Sequence, residues 1–182
     1  MKIRHILLSL LCACSLRAYD CVPLTYKTLA ELINAPVSYQ TWCNKLITDG
    51  KTPPTFQRSI EAWNTTLPNT PLQCIFVQGV KEAVTDAPIE CGIPYLWIGL
   101  APENLAVKDP NAAPGESTAH AAILIISSNG EYFILHTVSL TEYYVERLAE
   151  AEFFSRTFAV FRVHSKAGIH WNPLPKPKNG PL

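Results

Sequence analysis

Three side chains in this sequence have the types and setting for nucleophilic catalysis: Cys74, His120 and His136. A thiolate attacks acyl carbons and needs a base to take its proton, most often an imidazole on a neighbouring element. Thr70-Pro71-Leu72-Gln73 supplies a threonine N-cap, a proline at the first helical position and a glutamine at the capping-box position. Apolar residues then recur at 72, 75, 76, 80, 83, 84 and 87 before Pro88, so the pattern predicts a helix with Cys74 in its first turn. Unpaired N–H groups and the positive dipole end would lower the thiol's pKa there. The competing reading is a strand, because Cys74-Ile75-Phe76-Val77 has strong β propensity.

The two histidines lie on apolar runs, His120 to Ile126 and Glu131 to Val138, joined by Ser127-Ser128-Asn129-Gly130, a strong hairpin signal. A two-residue Asn129-Gly130 loop would pair His120 with Ser139 and turn His136 to the opposite face. A three-residue loop with Gly130 left-handed would pair Ala122 with His136. The imidazoles would then be diagonal neighbours on one face, roughly 7–8 Å apart at the backbone. In that register His136 could orient His120, as the third member of a triad does. Both loops are common, and the sequence leaves the choice open.

From His120 to Val163 the chain resembles the NlpC/P60 cysteine-peptidase superfamily. The matching pattern is His-Ala-Ala-Ile-Leu-Ile, a glycine-bearing turn and Glu-Tyr-Phe-Ile-Leu-His-Thr, then a helix and the strand Phe-Ala-Val-Phe-Arg-Val. The resemblance implies a papain-like fold, with His120 as base and His136 as its orienting partner. It places the nucleophile at an upstream helix start, in a motif such as Asp-Cys-Ser-Gly-Phe-Val. Gln73-Cys74-Ile75-Phe76-Val77 is similar, but lacks the Asp and the small pair. The family's Gly-Asp-Leu strand before the first His is also absent, with Gly115-Glu116-Ser117 its nearest counterpart. The implied activity is amide hydrolysis on a peptide or peptidoglycan-like substrate such as a cell-wall peptide stem. No cofactor or metal is implied, and Trp97 and Trp171 are candidates to line a groove.

Other readings compete for the same residues. Cys21, Cys43, Cys74 and Cys91 in an exported chain would form two disulfides by default, Cys74 pairing with a partner such as Cys91. The protein would then be a non-catalytic secreted binding domain. Cys43 is the second candidate nucleophile, though it shares a face with Trp42 and Leu46. Zinc is disfavoured, since His120, His136, His164 and His170 lack compact ligand spacing. Ser117 is set aside as a nucleophile because a loop, not a strand, precedes it. Asn64-Thr65-Thr66 is a glycosylation sequon, meaningful only in a eukaryotic secretory pathway.

The elements that must position these groups divide the chain in two. Helices are expected from Tyr26 to Ala35, from a Ser38 cap through Leu46 to Gly50, and from Phe56 to Asn64. After Cys91 come strands at Ile93 to Leu100, His120 to Ile126, Glu131 to Val138 and Phe158 to Val163, with Ala101 to Ala119 a long loop. Ser139 and Glu142 suggest a capping box opening a helix from Leu140 to Phe154. The fold class is therefore α+β, a helical N-terminal half packed on a small antiparallel sheet. Met1 to Ala18 reads as a secretory signal, with Lys2, Arg4 and His5 before a short apolar run. A lipoprotein signal ending at Cys14 is the rival. One domain spans 19–164, and a Pro-rich tail with little to pack spans 165–182. The expected location is secreted or periplasmic, with no transmembrane segment in the mature protein.

Composition supports this. Of 182 residues, 48% are hydrophobic and 16% charged, which fits a globular core. Fifteen basic residues balance fifteen acidic ones, so no basic excess exists to neutralise nucleic-acid phosphates.

Overall fold

The computed structural model describes residues 21–46, 55–78, 90–100 and 119–173. The signal segment, the Gly50 helix stop, positions 79–89 of the expected Cys74 helix, most of the 101–119 loop and the tail beyond 173 lie outside the described residues. The described elements are α1 (Cys21–Leu32), α2 (Tyr39–Leu46), α3 (Phe56–Thr66), β1 (Leu72–Val77), β2 (Pro94–Leu100), β3 (Ala119–Ile126), β4 (Tyr132–Thr137), β5 (Tyr143–Leu148), α4 (Glu150–Arg156) and β6 (Thr157–Val163). The class is α+β, and the strands form one antiparallel sheet in the order β1-β6-β2-β3-β4-β5.

The three N-terminal helices form where their sequence signals lie. α1 already includes Cys21, the first described residue, five residues before its expected start. Ser38 caps α2, its Oγ accepting from the Thr41 N–H at 3.1 Å. Thr55 caps α3 by accepting from the Arg58 N–H. Tyr26 meets Trp42 and Trp63 edge-on, and the two indoles stack 5.5 Å apart, so the three helices share one aromatic centre. This layer covers the sheet face that presents Leu96, Ile98, Ala121, Ile123, Leu135 and Phe161. The opposite face presents Tyr95, Trp97, Ala122, Leu124 and Ile134, and α4 closes over it with Phe153.

Two expected helices are strands. Positions 72–77 form β1, pairing with β6 through a bulge between Cys74 and Phe76. The β-prone run Cys74 to Val77 pairs with the edge of β6, and Asn64 Oδ1 accepts the Leu72 N–H at 2.8 Å. Local caps lose to a row of sheet hydrogen bonds. Residues 143–148 form β5 on the outer edge of β4, and helix begins only at Glu150. Tyr143, Tyr144 and Val145 suit a strand, and the supposed capping box is a turn in which Val138 N–H donates to Glu142 carbonyl at 3.0 Å.

The start of the tail packs, contrary to expectation. Asn172 donates from its backbone to the Leu32 carbonyl at 2.7 Å and from its side chain to the Glu31 carbonyl at 2.7 Å, tying off the end of α1. Ile169 and Trp171 pack against the helix-side core. Trp97 lines no groove: it is fully buried, with Nε1–H donating to Thr157 Oγ1 at 2.8 Å.

Candidate functional site

The β3–β4 hairpin brings the histidines together. Ile123 pairs with Leu135 and Ile126 with Tyr132, a register that sets Ala122 opposite His136. The turn is the three-residue form, Gly130 sitting at φ 81° and donating its N–H to the Ser127 carbonyl. His120 and His136 therefore share the face opposite α1, with Nε2 of His120 3.0 Å from Nδ1 of His136. Trp97 stands edge-on to the His136 ring and the Tyr144 ring lies 5.7 Å from it.

The chain of contacts continues through residues that the sequence reading did not single out. His136 Nε2 is 3.1 Å from Glu146 Oε2, because Glu146 on β5 pairs with Ile134 and faces the same side. Arg156, at the end of α4, reaches both oxygens of Glu146 at 2.8 and 2.9 Å. The same guanidinium donates to the Leu100 carbonyl at the end of β2 and to Glu152. A sequence signal for Glu146 existed: Tyr144, Glu146 and Leu148 alternate as one strand face. The helical reading of 140–154 hid it.

Burial lowers the pKa of both imidazoles below their ordinary value, and for His120 the nearby His136 adds to this. Glu146 pulls the other way on each but does not win. Burial also opposes the Glu146 charge, yet hydrogen bonds from His136 and Arg156, with the Arg156 charge, bring its carboxyl down to about 2. Near neutral pH the site is therefore carboxylate, guanidinium and two neutral imidazoles.

Proton positions follow. Ionised Glu146 can only accept, so His136 Nε2 carries hydrogen and its Nδ1 is an acceptor. His120 Nε2 must then donate to it, which leaves the lone pair of His120 on Nδ1. That is a base oriented by a second imidazole, itself oriented by a carboxylate.

Cys74 is not part of this constellation. In β1 it pairs with Phe161, which pairs with Leu96, which pairs with Ile123, so three interstrand spacings of roughly 4.8 Å separate it from β3. It packs with the helix-side core, on the face opposite the imidazoles. Cys74 lies in a strand, and among the described residues no helix begins at it. Burial pushes the thiol up to about 11, only partly offset by a backbone hydrogen bond with Phe76. Cys43 sits in the middle of α2, partly exposed beside the buried Trp42, and has no link to the histidines. Among the described residues no disulfide joins Cys21, Cys43, Cys74 or Cys91.

Cys21 was expected only as a disulfide half. It opens α1, and Thr25, one turn later, donates its hydroxyl to the Ala121 carbonyl at 3.0 Å, next to His120. Asp20-Cys21 at a helix start was the available sequence signal. Among the described residues no three His, Cys, Asp or Glu side chains converge as a metal-ligand set. No described helix is long and apolar enough to cross a membrane. No protein-family model, curated protein or solved structure matches the chain.

Proposed function

We propose that this protein is an exported hydrolase of amide bonds in which His120 is the general base, His136 orients it and Cys21 is the nucleophile. The carrying observation is the unbroken chain His120–His136–Glu146, with contacts of 3.0 and 3.1 Å, which leaves Nδ1 of His120 unprotonated and able to accept a proton. Export follows from the Met1 to Ala18 signal reading. The amide substrate, a peptide or cell-wall peptide stem on a papain-like fold, follows from the NlpC/P60 resemblance of 120–163.

Cys21 takes this role in place of Cys74 because α1 packs across β3 and β4, the strands that carry the imidazoles, although its side chain is buried in the same helix-side core that Cys74 packs against. α1 covers the other face of the sheet, so this role requires the thiol to reach His120, second residue of β3, around the strand's end. The Cys21 proton passes to His120 Nδ1 as sulfur bonds the carbonyl carbon. The C–N bond breaks as His120 returns that proton to the leaving nitrogen. Water then gives its proton to His120 and attacks the thioester, the C–S bond breaks, and the thiol is restored by the same proton.

The test is iodoacetamide labelling of the non-reduced protein across pH 5–9, with the modified cysteines located by mass spectrometry. Cys21 should label well below the ordinary thiol pKa of roughly 8.5, and His120→Gln should abolish that reactivity. Cys74 should stay unlabelled through pH 9, given a thiol pushed up to about 11. A Cys21 that is inert, or whose reactivity ignores His120→Gln, ends this mechanism. The protein would then be read as a non-catalytic secreted binding domain with the imidazole chain as a buried polar network, a reading favoured by the 7% exposure of His120.

A further inference from the structure

The hydrogen bonds of the imidazole chain have a direction, and something must set it. A histidine pair alone has no preference. Either ring can donate to the other, and the two choices leave the basic lone pair of His120 on opposite nitrogens. Only the far end of the chain can break the tie.

At that end two donors converge on one atom. Glu146 Oε2 lies 2.9 Å from an Arg156 guanidinium nitrogen and 3.1 Å from His136 Nε2. The other carboxylate oxygen takes the second Arg156 nitrogen at 2.8 Å, and that nitrogen also reaches Glu152 at 3.0 Å. A guanidinium has donors only and does not lose its proton. The Oε2 position must therefore be an acceptor, and His136 must donate to it. Arg156 is itself held: it is 14% exposed, donates to the Leu100 carbonyl, and belongs to α4, which is packed on the sheet through Phe153. Trp97 and Tyr144 meet the His136 ring through their aromatic rings alone.

From this convergence we infer that Arg156 is a positioning residue: by holding the group at position 146 as an acceptor toward His136 it sets the direction of every hydrogen bond from Glu146 to His120 and so leaves Nδ1 of His120 as the proton-accepting atom. The inference deepens the general-base reading and rests on it for what Nδ1 does. The direction itself needs no substrate and is read separately.

The experiment is ring-nitrogen NMR of the full protein near pH 7, comparing wild type, Glu146→Gln and the double variant Glu146→Gln/Arg156→Met. In wild type both rings should be Nε2–H with an unprotonated Nδ1. In Glu146→Gln the tautomers should not change. The guanidinium nitrogen at the Oε1 position keeps the Glu152 carboxylate as its other acceptor, whereas the one at Oε2 has only the neutral Leu100 carbonyl, so the amide oxygen stays at the Oε2 position and the amide nitrogen turns to the other side. In the double variant the amide is free to present either end, and both rings should show mixed or inverted tautomers. Removing both charges together spares the fold an unpaired buried ion.

Inversion in Glu146→Gln, or wild-type tautomers retained in the double variant, would overturn the role of Arg156. If the double variant does not fold, Glu146→Gln still decides, since retention supports the assignment and inversion refutes it. Loss of Cys21 labelling with correct tautomers would instead count against the hydrolase reading alone.

Discussion

Gly99→Ala is expected to destabilise the protein by about 3 kcal/mol, at the upper end for overpacking. Gly99 has ordinary backbone angles, so the cost is not conformational. A Cβ there would overlap the Trp97 ring and the Arg156 carbonyl oxygen, both fixed. Trp97 is buried and bonded to Thr157, and the Arg156 carbonyl belongs to the junction between α4 and β6. Gly99 also pairs with His120, so the strain would spread into the imidazole chain. Gly130→Ala is the control: it has a φ of 81° and open space for a Cβ, so it should cost only the left-handed penalty of about 1–2 kcal/mol. Urea midpoints of the two variants check this. Equal losses would mean that the close approach at Gly99 is not tight.

Acid should unfold this protein earlier than its carboxylates alone would. His120 and His136 are buried with pKa values held below the ordinary 6.5, so they are neutral in the fold and take up protons on unfolding. A depressed histidine contributes stability that is complete above about pH 6.5 and is lost as pH falls below it. For His120 alone the loss between pH 7 and pH 5 is about 2 kcal/mol, at about 1.4 kcal/mol per pH unit below 6.5. His136 acts in the same direction. Glu146, with its carboxyl near 2, adds a further loss only below about pH 4.5, where an unfolded carboxylate would protonate. Urea titrations at pH 7, 6 and 5 should therefore show falling stability, and His120→Gln should flatten much of that slope. A wild-type curve flat over this range would mean that the pair is not neutral and buried.

Much of the helical layer was legible because its signals are local. Ser38 caps α2 within four residues of its own sequence, and the apolar spacing of Leu29, Leu32 and Ile33 marks the buried face of α1. The Asn129-Gly130 turn announced the hairpin. The register was not legible, since both strands are apolar on both faces and either loop would bury an acceptable set of side chains. The left-handed Gly130 and the Ile123–Leu135 pairing selected the one that joins the imidazoles.

Positions 70–77 and 139–148 show where local reasoning stops. Each carries helix caps within four residues, and each is a strand, because β6 and β4 offer open edges that no local pattern reveals. That outcome removed Cys74 from the site and brought Glu146 into it. The sequence by itself determined the class, the hairpin and the two histidines able to meet. Only the tertiary structure decided which face of the sheet each group occupies and what stands behind His136. Strand pairing joins residues such as Glu146 and Arg156, whose meeting depends on three strands and a helix and not on their spacing along the chain.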